Sequence, residues 1–226
     1  MRAHPAGPLH ADAPPAERAP AAPVDLAALD PAVWPVTAIR RDGVLHLGGL
    51  SVTELARIHD TPSYVVDEQD FRSRARRYVD AFADAGVYYA SKAMLSRGIA
   101  RWVAEEGLGI DVCTGSELEV VLSAGFPPER VTLHGNNKSS DELRRALTAG
   151  VGHIVVDSFD EITHLGRLAE ELDVRPAVLI RVTVGVEAHT HEFIATAHED
   201  QKFGLALADG QAAEAVRRVL KLDSLE

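Results

Sequence analysis

The apolar residues of this chain fall into two alternating patterns from residue 87 onward. Stretches with apolar positions at helical spacing, such as Leu118, Val121 and Leu122, separate short runs of another kind. These runs are rich in Val, Ile, Leu or Tyr, as buried strands are, and occur at 87–90, 108–112, 131–134, 153–156 and 177–184. Repeated strand–helix units predict an α/β protein with a parallel sheet and helices outside it.

Three of the predicted helices carry the same start signal. A Ser or Thr stands three residues before a Glu at Thr114–Glu117, Ser139–Glu142 and Ser158–Glu161. In such a capping box the two side chains satisfy N–H groups of the first turn that have no partner within the helix. We therefore expect helices to begin at these three positions.

The pattern before residue 87 is less regular. Strands are predicted at 44–47 and 64–66, a short helix with Ser51 as its N-cap at 51–59, and a charged helix at 68–85. Residues 1–33 are rich in Ala and Pro without a continuous apolar core, which predicts a disordered leader and no secretory signal.

Polar residues close the five predicted strands at a near-constant interval. They are Lys92, Asp111, His134, Asp157 and Arg181, about 19 to 24 residues apart, as expected of strand–helix repeats. In a (β/α)8 barrel the carboxyl ends of all strands face one mouth, where catalysis occurs. The spacing thus predicts one cavity lined by cations, carboxylates and an imidazole, although strand–helix alternation also fits a doubly wound sheet.

Composition and charge narrow the class of protein. The chain has 226 residues, 46% of them hydrophobic, which is ordinary for a globular protein. Its formal net charge of −11 disfavours nucleic acid as a partner, because such binding depends on clustered Lys and Arg. No apolar run reaches the ~18 residues that cross a bilayer, so no membrane partner is expected. The single cysteine, Cys113, excludes an intrachain disulfide and favours a reducing cytoplasm.

Lys92 has the strongest candidate chemistry in the chain. A lysine just past a buried strand is costly to hold charged, and a lowered pKa is what an amine needs to attack an aldehyde. On the local sequence alone, a lysine that merely reaches solvent from a strand end is the simpler interpretation. The neighbouring motifs reverse that preference.

Motifs at three strand ends together resemble a known family. They are Tyr88-Tyr-Ala-Ser-Lys-Ala, Gly109-Ile-Asp-Val-Cys-Thr-Gly-Ser-Glu-Leu and Leu133-His-Gly-Asn-Asn-Lys. In order and spacing they resemble the amino-terminal barrel of the fold-type III, pyridoxal-phosphate-dependent decarboxylases of basic amino acids. Within that family, residues 184–193 and 199–204 look most like the diaminopimelate decarboxylases of actinobacteria.

The resemblance implies that pyridoxal 5'-phosphate is the cofactor and gives matching residues a role. Lys92 matches the lysine that carries the cofactor as a Schiff base, and Arg181 matches an arginine that faces the cofactor's phenolic oxygen. Asp111 and Glu117 match acidic residues near that lysine, and His134 would line the cofactor face. Simpler roles stay open as alternatives: a strand-end cap for Asp111, a capping-box partner for Glu117, and a loop-stabilising cluster for His134.

The resemblance also implies an architecture and a reaction. We expect a partial, alanine racemase-like, pyridoxal-phosphate-binding (β/α)8 TIM barrel at 67–226, truncated after about five strands, with 34–66 belonging to a second β domain. The implied reaction is decarboxylation of meso-2,6-diaminopimelate to L-lysine by a cytoplasmic homodimer. Because the family's later strands, phosphate site and second domain find no counterpart, we expect an amino-terminal fragment that is inactive and poorly folded by itself.

Two other functions share part of this pattern. A single-domain pyridoxal-phosphate-binding protein of cofactor homeostasis also has a lysine on its first strand but lacks a segment like 44–66. A decarboxylase of ornithine or carboxynorspermidine shares the chemistry, and only the residues at 189–193 speak against it.

His189-Thr-His191 has the spacing of a zinc-binding pair. In metal-dependent barrel hydrolases such a pair is expected on an early strand, whereas here it follows the fifth. We therefore expect it to bind no metal.

Overall fold

The computed structural model describes residues 28–184 and 203–226. Most of the predicted leader and the His189–His191 pair therefore lie outside the described residues. The chain divides into two compact units, residues 1–71 and 72–226. In the described parts of the chain, no helix has the length and hydropathy needed to span a membrane.

The first unit contains a small antiparallel sheet and a short helix. Strands β1 (Ile39–Arg41), β2 (Val44–Leu47) and β3 (Leu50–Ser51) pair in chain order, and helix α1 (Val52–His59) follows. The Ser51 side chain accepts a hydrogen bond from the N–H of Glu54, which confirms the predicted N-cap. The sheet begins one strand earlier than the sequence pattern indicated.

The strand predicted at 64–66 is wrong. These residues belong to no strand, and Tyr64, Val65 and Val66 are all exposed. Their aromatic and β-branched side chains favour a pleated, half-buried surface, but this preference forms a strand only where a neighbouring strand and a packing surface are present.

The second unit is a parallel sheet of five strands covered by helices. The strands are β4 (Tyr88–Ala90), β5 (Gly109–Val112), β6 (Val131–Leu133), β7 (His153–Val156) and β8 (Val178–Ile180), and each pairs with the next. Helix α2 (Glu68–Ala81) begins in the first unit and continues into the second, whose other helices are α3 (Arg97–Glu105), α4 (Gly115–Ser123), α5 (Ser140–Ala149), α6 (Phe159–Leu172) and α7 (Gln211–Val219). A strand order that follows chain order without reversal is that of a barrel wall, whereas a doubly wound sheet reverses direction at a switch point.

A separate two-stranded parallel sheet follows the five-stranded one and was not predicted. The strand predicted at 177–184 breaks at Arg181 into β8 and β9 (Val182–Thr183). β9 then pairs in parallel with β10 (Leu205–Ala206). Two residues are too few for an alternating or continuous apolar pattern, so the sequence gives no signal for β10.

The core lies between the central strands and the helices. Ile110, Leu133 and Ile154 on β5–β7 are fully buried, as are Leu118 on α4 and Leu165 on α6. Strands covered on both faces read as continuous apolar runs, which is why β5–β7 were predictable. β4 differs: its residues are half-buried or exposed, since it forms an edge of the five-stranded sheet.

The predicted helix caps are present, but only one forms a complete capping box. Thr114, Ser139 and Ser158 each accept a hydrogen bond from the N–H of the Glu three residues later. Glu142 returns a bond to the N–H of Ser139, which completes the box. The side chains of the other two glutamates instead accept from the residue before the cap: Glu117 from Cys113 at 2.6 Å and Glu161 from Asp157 at 2.8 Å. These bonds fix the strand-end residues.

The backbone at Gly152, just before β7, passes close to the backbone at Glu129. A Cβ atom at this position would lie 2.1 Å from the carbonyl oxygen of Glu129, a backbone atom that cannot rotate away. We expect Gly152→Ala to lower the free energy of unfolding by about 1–3 kcal/mol, the usual effect of overpacking. Urea unfolding of a longer protein in which this chain is completed at its carboxyl end measures the change.

Gly98→Ala is the matched control for this substitution. A Cβ at Gly98 would meet only the Ser96 Oγ at 3.6 Å, an ordinary contact. Alanine within α3 should therefore raise stability by about 0.5–1 kcal/mol. Similar effects of the two substitutions would contradict the close approach at Gly152.

Candidate active site

A cavity of about 710 Å3 opens at the carboxyl ends of the parallel strands. Lys92, Asp111, His134 and Arg181, the four residues predicted to hold the cofactor, all line it. Ser91, Cys113 and Phe203 line it as well. The volume falls within the roughly 300–1,000 Å3 of small-molecule sites.

Lys92 lies in a single helical turn, Ser91–Ala93, directly after β4. The side chain is exposed on the cavity side, whereas the sequence pattern predicts a lysine at the end of a buried strand. The reason is the edge position of β4, which leaves this strand covered on fewer sides than β5–β7. Ser91 is buried beside it, 2% exposed, and its Oγ has no hydrogen-bond partner among the described residues.

Asp111 and His134 face each other across neighbouring strands. Asp111 lies in β5 and His134 follows β6, and the His134 Nε2 is 3.4 Å from the Asp111 Oδ1. The backbone N–H of His134 donates to the carbonyl of Val112 at 2.8 Å, which continues the ladder between the strands past the end of β6. Both side chains stay about one-third exposed to the cavity.

Cys113 lies at the wall of the cavity, between Asp111 and the start of α4. The residue is half-buried, and its N–H donates to Glu117. Burial raises the pKa of the Cys113 thiol, the carboxylates of Glu117 and Asp111 raise it further, and the charges of Lys92 and Arg181 oppose this shift. The thiol is therefore protonated at neutral pH, which argues against a nucleophilic role.

Arg181 is held between a carboxylate and an aromatic ring. Its guanidinium lies over the ring of Phe203, 4.2 Å from the centroid, and its Nε is 3.7 Å from the Asp157 Oδ1. Asp157 was expected to line the cavity with the other strand-end residues. It is instead buried, 7% exposed, because its carboxylate turns toward Arg181 and the N–H of Gly204.

Lys138, the other lysine of the strand-end motifs, is buried among oxygen atoms. Its Nζ donates to the carbonyl oxygens of Gly135 and Val155, both at 2.7 Å, and forms an ion pair of 2.6 Å with the Glu161 Oε1. These contacts compensate the buried charge. Lys138 is thus a structural cation, and among the described residues Lys92 is the lysine that lines the cavity.

Sequence reasoning missed two residues of the site. Ser91 had the weak signal of standing directly before Lys92, but nothing in the sequence indicates that its hydroxyl is buried without a partner. Phe203 lies beyond residues 185–202 and reaches Arg181 only through the return of the chain along β9.

The parallel barrel wall and a lysine at its mouth define a pyridoxal-binding domain. Residues 68–226 match the model of the pyridoxal-dependent decarboxylases, pyridoxal binding domain. The chain belongs to this family. The predicted cofactor, pyridoxal phosphate, and the predicted barrel fold are thereby confirmed.

The chain is similar in sequence and structure to several diaminopimelate decarboxylases. It is 57% identical to the diaminopimelate decarboxylase of Mycobacterium tuberculosis over 203 residues, and this match covers 89% of this chain and 45% of the relative. It is 53% identical to the diaminopimelate decarboxylase of Mycobacterium leprae, and this match covers the whole chain and 49% of the relative. The structure of the M. jannaschii enzyme in co-complex with L-lysine superposes with a TM-score of 0.77 at 29% identity, covering 84% of this chain and 46% of that one. The chain spans about half the length of the curated relatives it matches.

The pKa of Cys113 provides a test of the electrostatics of the cavity. Glu117→Gln removes the negative charge but keeps an acceptor for the Cys113 N–H. We expect the thiol pKa to fall, so that the curve of alkylation rate against pH moves to lower pH. Below the pKa the rate rises about tenfold per pH unit, because the thiolate reacts. Iodoacetamide labelling followed by mass spectrometry measures the rate at the only cysteine of the chain.

Glu119→Gln is the control on the same helix. The Glu119 carboxylate pairs with Arg145 at the surface, so its loss should leave the Cys113 curve in place. Unchanged alkylation of the Glu117→Gln variant would refute the electrostatic account.

Proposed function

We propose that this chain forms the cofactor-binding part of an enzyme that decarboxylates meso-2,6-diaminopimelate to L-lysine. The observation that carries the proposal is the meeting of Lys92, Asp111, His134 and Arg181 around one cavity. Relatives named diaminopimelate decarboxylase at 57%, 53% and 46% identity support the choice of substrate. Solved relatives from M. jannaschii and Helicobacter pylori in complex with L-lysine support the choice of product.

The described residues suit pyridoxal phosphate. The cofactor presents an aldehyde, a phenolic oxygen and an anionic phosphate, and the cavity offers an exposed amine, a fixed guanidinium and the unpartnered hydroxyl of Ser91. When bound, the cofactor supplies an electron sink for the pair left behind as carbon dioxide departs.

Each side chain then has a physical task. Lys92 would hold the cofactor through its amine. Arg181 would supply a positive charge for the cofactor's phenolic oxygen, and its stacking on Phe203 shields one face of the guanidinium from water. His134, with Asp111 at its Nε2, can hold or release a proton at the edge of the cavity. Glu117 keeps Cys113 and the end of β5 in place.

The sequence expectations on organisation belong to the same proposal. We assign residues 34–66, which include the antiparallel sheet β1–β3, to a second β domain. A homodimer in the cytoplasm is the state implied by the resemblance. The net charge of −11 supports the absence of a nucleic-acid partner.

Lys92 should carry the cofactor covalently. The test joins this chain at its carboxyl end to the remaining part of the M. tuberculosis relative; we call the product the fusion protein. After loading with pyridoxal phosphate and borohydride reduction, peptide mapping should find the pyridoxyl group on Lys92. Lys92→Ala should lose the label, whereas Lys221→Ala, a change at an exposed lysine on the surface, should keep it. A label on Lys138 or Lys202 would overturn this assignment.

The reaction itself is tested by carbon dioxide release from the fusion protein. We expect release from meso-2,6-diaminopimelate and a loss of more than about a thousandfold in Lys92→Ala, the scale found when a covalent catalytic group is removed. Faster release from ornithine or carboxynorspermidine would transfer the proposal to those substrates. Cofactor binding without release from any of the three would favour a binding protein of cofactor homeostasis.

A further inference from the structure

We propose that Asp157 is a positioning residue that fixes the Arg181 guanidinium at the cavity wall. The inference rests on the proposed function, because it takes Arg181 as a residue that faces the cofactor. Asp157 itself does not line the cavity and acts only through Arg181.

The two carboxylate oxygens of Asp157 have different surroundings. The side chain is 6% exposed, and its Oδ2 accepts a hydrogen bond of 2.9 Å from the N–H of Gly204. Its Oδ1 is buried without a hydrogen bond among the described residues and lies 3.7 Å from the Arg181 Nε. A buried carboxylate oxygen is costly unless a cation or donor compensates it, and Arg181 supplies this compensation.

Arg181 is restrained on two sides as a result. Asp157 attracts the Nε edge of the guanidinium, and the ring of Phe203 packs against its face at 4.2 Å. A planar cation held at one edge and one face has a single favoured orientation. Removing the edge contact should let the group turn about the ring and away from a fixed position in the cavity.

Gly204 brings the two restraints together. At this position φ is +76°, and a Cβ would lie 3.0–3.1 Å from the carbonyl oxygen and Cγ of Arg181 and from the Thr183 Oγ1. Glycine suits this position because a side chain would be strained at this φ and would press on Arg181 and Thr183. This approach seats Phe203 on the guanidinium and brings the Gly204 N–H to the Asp157 Oδ2.

Asp157 is in turn held in place from behind. Its backbone N–H donates to the Glu161 Oε2 at 2.8 Å, and the Glu161 Oε1 pairs with Lys138 at 2.6 Å. The Lys138 side chain is 1% exposed. These contacts fix the backbone of Asp157, so its carboxylate can hold Arg181 in one position.

A double-mutant cycle separates positioning from a purely structural role. In the fusion protein, Asp157→Asn keeps an acceptor for Gly204 but removes the charge that holds Arg181. We expect it to raise the Kd for pyridoxal phosphate roughly tenfold, within the range of couplings between contacting residues. In the Arg181→Ala background the same change should have no further effect. Equal weakening in both backgrounds would overturn the proposal.

Two further variants test whether the change in Kd depends on the contact between Asp157 and Arg181. Asp160→Asn removes an exposed carboxylate three residues away, without contact to Arg181, and should leave the Kd unchanged. If Asp157→Asn does not fold, Asp157→Glu enters the cycle instead, with the charge kept but displaced by one methylene. The criterion stays the same, since additive effects with Arg181→Ala would again refute positioning.

The same cycle without cofactor distinguishes this inference from the proposed function. Urea unfolding of the cofactor-free fusion protein reports whether Asp157 and Arg181 interact at all. Non-additive unfolding free energies support the contact even if the fusion protein releases no carbon dioxide. Additive ones remove the basis of the inference whatever reaction the enzyme performs.

Discussion

The buried ion pair of Lys138 and Glu161 is the contact on which the cavity wall depends. The two side chains are 1% and 10% exposed, so both ions lose most of their hydration. The 2.6 Å ion pair offsets part of this loss, and further hydrogen bonds add to it: Lys138 donates to the carbonyls of Gly135 and Val155, and Glu161 accepts from the N–H of Asp157. One pair thus joins the segments after β6 and β7 to the start of α6. Loss of one partner of such a pair typically costs about 3–5 kcal/mol, because an uncompensated charge stays buried.

The sequence predicts the repeating part of the fold well and its edges poorly. Strands β5–β7 are buried on both faces, so their composition reflects their position, and the caps at Thr114, Ser139 and Ser158 are local hydrogen bonds that a short motif can specify. The strand predicted at 64–66 and the burial expected for β4 failed for a common reason. Both depend on which other segments lie alongside, and a local pattern does not contain that information.

The candidate site also contains residues whose positions the sequence predicts and residues whose positions it does not. Spacing placed Lys92, Asp111, His134 and Arg181 at one mouth because parallel strands end on the same side, and the structure brings all four to one cavity. Asp157 obeys the same spacing but turns away, since its partner Gly204 comes from beyond residues 185–202. The similar Ser/Thr-x-x-Glu motifs also diverge. Glu142 accepts from the N–H of Ser139 and from that of Gly115 at the start of α4, whereas Glu117 and Glu161 accept from the residue before the cap.

Strand order that equals chain order has a consequence for biosynthesis. Every pairing within β4–β8 joins strands only about 20 residues apart, so the entropy of closing each intervening segment is small and contact order is low. At translation rates of about 5–20 residues per second, a new strand–helix unit leaves the ribosome every one to four seconds, whereas a helix forms within about a microsecond. Each unit can dock on the preceding one before the next is made. The wall of the barrel is thus suited to growth from its amino-terminal strand during synthesis, one unit at a time.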